Sequence, residues 1–310
     1  MTGLGHPLRL GGLLRAGARD VSEYTGMVLA LFVVQVIVAW GAWVVVAQVL
    51  MTAFAGRPIF DEAVDGDLVA LLHVLGDHAE LFRAISVIAF GAALAWITIS
   101  WFLVGGVLAV LTERPRGRRE TARTFGAGGA STFLVYARLA IWSLFIGVLP
   151  TMTLLGLGIG HIQDRLEYAL TVRELIVPMI VGLAPALLYH LVISTAVDLA
   201  RAELTLRRPT HERLGATRAL FRALGFILRR PVAIGHVVLY WLAFAGLSLL
   251  FVWMAQGRSM LGASGALVLL ALREGLALCR FALKLGVVAG QVELTATRPP
   301  PPRAVAPAET

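Results

Sequence analysis

The sequence has 310 residues, of which 58% are hydrophobic and only 15% are charged, and its mean hydropathy is +0.81. A soluble domain of this length carries more charge and shorter apolar runs, so the composition excludes an ordinary soluble protein. The net charge of +8 does not indicate nucleic-acid binding, because the basic residues cluster in the connections between apolar runs.

Six mostly apolar runs are long enough to cross a bilayer, which requires about 20 residues in a helix. The predicted spans are 27–55, 84–111, 139–160, 175–197, 232–255 and 261–290. The first run is too long for the apolar core of a signal peptide, which predicts a retained span. We therefore predict an all-α membrane protein with a single polytopic domain over 1–299, followed by a disordered, Pro-rich tail over 300–310.

The distribution of charge predicts the orientation in the membrane. Of 27 Lys and Arg residues, 19 fall on the side that carries both termini, five fall on the other side and three lie inside the sixth span. Basic residues are enriched in cytoplasmic connections, so both termini are predicted to lie in the cytoplasm. Anionic headgroups are sufficient partners for these basic connections.

The first pair of spans is preceded by a basic amphipathic segment over 6–25, with Leu13 and Gly17 on one face and Arg15 and Arg19 on another. In the first span, Gln35 is the only deep polar side chain. The outer connection that follows predicts a helix over 68–82 lying on the membrane surface.

The second and third pairs of spans also follow basic segments. The segment 116–138 carries several arginines and the run Gly126-Ala127-Gly128-Gly129. The segment before the fifth span predicts an amphipathic helix, with Phe221, Leu224 and Leu228 on its apolar face.

The three even-numbered spans end on a similar pattern: Leu-Thr, one to three residues, then Arg-Pro. The pattern begins at Leu111, Leu204 and Leu294, which are spaced by 93 and 90 residues. This period predicts an internal triplication into units of 6–115, 116–209 and 210–299, each a surface helix followed by a hairpin of two spans. The alternative is that each pattern is only a helix stop at the membrane interface.

Alignment of these units places His190 opposite Arg280 and Glu203 opposite Glu293. Polar residues then increase from the first unit to the third. This asymmetry predicts one specialised site rather than three equal ones.

The sixth span carries Arg273, Glu274, Arg280 and Lys284. At 100° per residue, the three basic residues fall within roughly 40° of one another and form a stripe about 16 Å long. A charge at the centre of a bilayer costs at least ~2.5–3.5 kcal/mol, so such residues usually face a protein interior or a watery cavity. Arg273, Arg280 and Lys284 are called the cationic stripe below.

Two interpretations of the cationic stripe remain open. It forms either an anion-binding site or a structural feature in which Glu274 and Asp198 neutralise the basic groups and Lys284 extends to the interface. His190 and His236 lie inside spans four and five, where they either relay protons or pack as hydrogen-bonded residues.

No cofactor or metal is predicted. On the outer segment, His73, Asp77 and Glu80 share one helical face, but this is also the pattern of the wet face of an acidic surface helix. The single cysteine, Cys279, excludes an intrachain disulfide. An intramembrane enzyme is disfavoured because no acid, base and nucleophile converge.

The three-hairpin plan, the basic surface helices and the segment from Arg280 to Leu294 resemble uncharacterised six-span proteins of bacterial inner membranes. The layout over residues 10–299 is also similar to the membrane domain joined to some glycerophosphodiester phosphodiesterases. The chain has no phosphodiesterase domain, so the resemblance implies a membrane-embedded accessory or lipid-associated role.

The sequence therefore predicts a non-enzymatic membrane protein that binds anionic lipid or a membrane partner through the cationic stripe. The alternative is a transporter for an anionic solute or lipid, with the cationic stripe and His190 lining its path. Spans interrupted by Pro150, Pro178 and Pro185 favour the alternative, because interrupted helices often build binding sites at the middle of the membrane.

Overall fold

The computed structural model describes residues 10–54, 79–166, 171–207, 215–255 and 262–297. These ranges are almost entirely helical and contain no strand. Most of the predicted outer helix over 68–82 and the whole of the tail over 300–310 lie outside the described residues.

The helices are α1 Leu10–Glu23, α2 Thr25–Phe54, α3 Ala79–Glu113, α4 Arg118–Ser143, α5 Leu149–Leu166, α6 Val172–Leu206, α7 Ala216–Arg229, α8 Val232–Ala255 and α9 Gly262–Ala296. A π-helical segment, Leu144–Val148, joins α4 to α5. Six segments are long and apolar enough to cross a membrane: α2, α3, the rod formed by α4 and α5, α6, α8 and α9. The prediction of an all-α protein with six helical segments long and apolar enough to span a membrane is confirmed.

The predicted segment 116–138 is not a separate surface helix, because α4 continues into the third span. Its glycines serve close packing instead of ending the helix. A Cβ atom on Gly129 would lie 2.7 Å from the carbonyl oxygen of Phe102, and Gly128 packs equally closely on α3 near Gly105. Small residues let the two backbones approach, which gains van der Waals contact where lipid offers no hydrophobic drive.

The core of the protein lies where α3, α6 and α9 end, and these three helices contact one another there. We call this region the packed end. In α9, almost every residue from Leu285 to Thr295 is buried, whereas none is buried over 267–284. The same division occurs in α3, where burial begins at Gly105. The other halves of these helices therefore have exposed side chains that can face lipid or a cavity.

Three helical segments cover the packed end in a cyclic pattern. The first half of α4 packs on α3, α7 packs on α6, and α1 packs on α9. In the last of these contacts, a Cβ atom on Gly17 would lie 2.8 Å from the carbonyl oxygen of Gly286. Each segment thus packs on the second span of the preceding pair, and α1 closes the ring with the last span.

The face of α7 that packs on α6 is not the apolar face described by the sequence pattern. The residues that pack against α6 are Ala219, Leu220, Ala223 and Ile227. Phe221 is 58% exposed and Leu228 is 82% exposed. The small alanines fit close to α6, so the larger apolar side chains are directed to the outside, where lipid can cover them.

A cluster of charged residues joins α1 to the ends of α3 and α9. Arg114 lies 2.8 Å from Glu293 and 3.7 Å from Asp20, and Arg19 lies 3.1 Å from Asp20. The Asp20 side chain is only 3% exposed, so these arginines compensate its desolvation. Burial also raises the pKa of neighbouring Tyr24.

A second cluster joins α6 to α7. The Glu203 side chain is 1% exposed and accepts contacts from Arg207 at 3.1 Å and from Arg222 at 3.2 Å. Both clusters therefore use a carboxylate near the end of an even-numbered span to hold an arginine of another segment.

The π-helical segment is stabilised by a side chain from α6. Pro150 has no N–H group and so cannot donate to the carbonyl oxygen of Ile146, four residues earlier. The hydroxyl of Tyr189 donates a hydrogen bond to that oxygen. Tyr189 thus satisfies a polar group that would be costly to leave unpaired in a membrane.

Replacement of Tyr189 by Phe should lower the free energy of unfolding by about 1 kcal/mol, because the Ile146 carbonyl loses its donor. The cost should shrink in a Pro150→Ala background, where residue 150 regains an N–H group. Thermal unfolding in detergent of the four proteins of this double-mutant cycle measures the coupling. Strictly additive effects would contradict the assigned role of the hydroxyl.

Replacement of Glu203 by Gln should destabilise the protein by about 3–5 kcal/mol, because two arginines lose the buried carboxylate that they contact. The matched change Glu293→Gln should cost about 0–1 kcal/mol, since that side chain is 36% exposed. Unfolding of both variants under the same conditions compares the two clusters. Equal losses of stability in the two variants would show that the burial of Glu203 does not determine how much it contributes to stability.

Candidate anion site

The cationic stripe borders one cavity, as the helical spacing predicts. Arg273 and Arg280 line its larger lobe, of about 820 Å³, and Arg280 and Lys284 line its smaller lobe, of about 300 Å³. The two lobes also share Gln35, Ala39 and Ala42 of α2. We call the two lobes together the cationic cavity.

Four helices form the cationic cavity. Helices α2 and α9 supply most of the wall, α3 contributes to both lobes, and α8 contributes Phe244 to the larger lobe. The cavity is adjacent to the packed end, because Lys284 immediately precedes the buried run that begins at Leu285. Close packing therefore closes the cavity on this side.

The wall of the cavity is apolar apart from a few polar groups. Trp40 and Trp43 line the larger lobe and Trp96 lines the smaller one. Gln35 borders both lobes and supplies an amide that can donate or accept a hydrogen bond. An apolar wall with a few convergent polar groups is typical of a small-molecule or lipid site.

The basic groups of the stripe are not neutralised as the structural interpretation predicted. Throughout the described part of the chain, no carboxylate lies within ion-pair distance of Arg273, Arg280 or Lys284. Asp198 instead pairs with Arg201 at 3.0 Å. Glu274 lines the larger lobe, and within the described ranges no basic group lies at ion-pair distance from it.

Arg280 is positioned by an aromatic contact. Its guanidinium carbon lies 5.8 Å from the centre of the Phe244 ring of α8. A cation above an aromatic ring is attracted by the electrons of the ring face, and this contact leaves the N–H groups of the guanidinium available to a ligand.

The two histidines of the sequence analysis lie elsewhere. His190 stacks near Trp241 of α8, with ring centres 6.3 Å apart, and does not border the cationic cavity. His236 is buried against Gly290 and Tyr240, and within the described ranges neither of its ring nitrogens has a hydrogen-bond partner. The structure therefore does not bring the histidines together with the stripe.

The chemistry available in the cationic cavity is anion binding. Three basic side chains and one amide can donate to phosphate or carboxylate oxygens. Among the described residues, His, Cys, Asp and Glu form no group of three that could hold a metal ion.

The sequence predicted the cationic stripe as a candidate site, but it did not assign Gln35 or the tryptophans of α2 to that site. The signal was present, because Gln35, Ala39, Ala42 and Val46 recur at helical spacing and define the face that borders the cavity. It was hidden by the uniform hydrophobicity of α2, in which no polar face marks the orientation.

Comparisons of this chain with protein-family models, with curated proteins and with solved structures found no match.

The combined change of Arg273, Arg280 and Lys284 to Gln should leave the thermal unfolding midpoint in detergent unchanged, because these side chains are exposed and form no ion pair with any residue that the structure describes. Glu203→Gln provides the destabilised reference under the same conditions. If the unfolding midpoint of the stripe variant fell as low as that of Glu203→Gln, the stripe would be structural.

Proposed function

We propose that this protein is a non-enzymatic integral membrane protein that binds an anionic lipid in the cationic cavity. The observation that carries the proposal is the cavity itself, which is bordered by three basic side chains without carboxylate partners in the described structure. An anion that occupies the cavity would supply the missing counter-charge. The same groups would otherwise be costly at membrane depth.

The apolar wall favours a lipid over a small hydrophilic anion. Trp40 and Trp43 are about half exposed beside the larger lobe, on a helix whose other exposed side chains are almost all apolar. A hydrocarbon chain can cover this surface while its headgroup contacts the stripe. A free inorganic anion would leave the apolar wall uncovered.

A transporter for an anionic solute or lipid is the second candidate. It is favoured by the length of the stripe, since Arg273 and Lys284 are 11 residues apart, or about 16 Å along α9. The π-helical segment beside Pro150 adds an irregular helix of the kind found at functional sites. His190, which was expected on the path, does not border the cavity.

The proposed setting is the inner membrane of a bacterium, with both termini in the cytoplasm. The excess of basic residues on one side supports this orientation. The Arg114–Glu293 and Glu203–Arg222 contacts agree with it, since they gather the ends of the even-numbered spans and their basic segments at the packed end. Anionic headgroups at that surface would attract the arginines of α1, α4 and α7.

An internal triplication is part of the same proposal. It is supported by the cyclic packing of α1, α7 and the first half of α4, each on the second span of the preceding pair. The positions predicted to correspond, Glu203 and Glu293, both hold arginines of neighbouring segments. The accessory, lipid-associated role implied by the resemblance to other six-span proteins fits this arrangement.

Native mass spectrometry of the detergent-purified protein tests lipid binding. The wild-type chain should retain an anionic lipid, and the Arg273→Ala, Arg280→Ala, Lys284→Ala variant should lose it while remaining folded. The matched control replaces Arg118, Arg119 and Arg123 by Ala, which removes three exposed charges from α4, away from the cavity.

Equal retention by wild type, stripe variant and control would exclude the cationic cavity as the lipid site. Loss from both variants would show that overall charge, rather than the cavity, attracts the lipid. Transport of a labelled anion into proteoliposomes, abolished by the stripe variant alone, would favour the second candidate.

A further inference from the structure

Lys284 is the only lysine in the chain, and the other 26 of its 27 Lys and Arg residues are arginines. It lies in the wall of the smaller lobe of the cationic cavity. An ammonium group is a compact point charge with three donors, whereas a guanidinium group is a planar fork. The smaller lobe therefore combines both kinds of cation, Lys284 and Arg280, one helical turn apart.

The two lobes differ in charge. The smaller lobe is bordered by Arg280, Lys284 and the amide of Gln35, and no carboxylate is among the described residues that line it. The larger lobe is bordered by Arg273 and Arg280 but also by Glu274. Glu274 repels a second anionic group in the larger lobe, so the most favourable place for concentrated negative charge is the smaller one.

The walls of the smaller lobe leave room for a compact headgroup. Ala39, Ala42 and Ala92 face it from α2 and α3, and their short side chains account for its open volume of about 300 Å³. The larger lobe continues from Gln35 and Arg280 toward Trp40, Trp43 and Leu270. A headgroup in the smaller lobe would thus be continuous with an apolar wall suited to hydrocarbon.

We propose that the smaller lobe binds the headgroup of a lipid that ends in a phosphate monoester, and that the larger lobe holds the adjoining apolar part. This inference rests on the proposed lipid-binding function and specifies the class of lipid. A phosphate monoester carries a charge of about −1.5 to −2 near pH 7 and presents three terminal oxygens. A phosphodiester headgroup carries a single negative charge and offers fewer oxygens to the two cations and the amide.

The unique lysine provides the test. An amine-acylating reagent can modify only Lys284 and the chain N-terminus, so peptide mass spectrometry reports directly on access to the smaller lobe. The full chain is placed in nanodiscs of phosphatidylcholine that also contain either phosphatidic acid, a monoester, or phosphatidylglycerol, a diester with the same acyl chains. Acylation of the chain N-terminus, measured in the same samples, controls for general changes in the reaction with the reagent.

Phosphatidic acid at about ten times its Kd should slow acylation of Lys284 about tenfold, because only the unoccupied fraction reacts. Phosphatidylglycerol at the same concentration should slow it by about twofold or less. Arg280→Gln should abolish the protection while leaving the reporter lysine in place. Arg118→Gln, outside the cavity, should preserve the protection.

Each contrary result has a separate meaning. Equal protection by both lipids would overturn the monoester assignment but leave lipid binding intact. Lipid retention in native mass spectrometry without any protection of Lys284 would place the headgroup outside the smaller lobe and overturn this inference alone. If inorganic phosphate protected Lys284 as strongly as phosphatidic acid does, the apolar part of the lipid would contribute nothing to binding. If the protein neither retained the lipid nor showed protection of Lys284, the proposed function would be wrong as well.

Discussion

The packing of α3, α6 and α9 at the packed end is the constraint on which the rest of the structure depends. A bilayer offers no water to satisfy polar groups and no hydrophobic drive between helices, so stable contact requires close backbones and compensated charges. Glycines at positions 17, 105 and 286 let the backbones approach closely. The charged clusters around Asp20 and Glu203 compensate the buried charges. Because these contacts are concentrated at one end, few side chains of the spans are buried toward the other end. The cationic cavity lies in that less densely packed region.

The two sets of charged residues have different tasks. Glu203 is almost fully buried and held by two arginines, so its charge is used within the protein. Arg273 and Arg280 are exposed and have no carboxylate partner in the described ranges, so their charge is directed to the cavity. This contrast separates the structural ion pairs from the proposed anion site more clearly than the sequence position of either group does.

Length, hydropathy and helical spacing were sufficient to predict six spans and the single face shared by the cationic stripe, because both depend on local periodicity. The partners of that face were not predictable, since α2 is apolar on all sides and gives no sign of the direction of Trp40. Asp198 pairs with Arg201, three residues later on the same helix, instead of with the stripe. A contact within one helix here takes the place of a long-range contact. The continuity of α4 with the third span was missed because the arginines of its first half, such as Arg118 and Arg123, set that half apart from the apolar run that begins at residue 139.

The contact between α1 and α9 has a consequence for how the protein is made. Asp20 and Glu293 belong to one charged cluster but are 273 residues apart in the chain. At ribosomal rates of about 5–20 residues per second, α1 leaves the ribosome roughly 14–55 s before its partner helix is complete. Throughout that interval the buried face of α1, including the carboxylate of Asp20, must be accommodated by the lipid surface or by an insertion factor. Completion of the last span is thus the event that closes the bundle, and a chain that stops before α9 cannot reach the same fold.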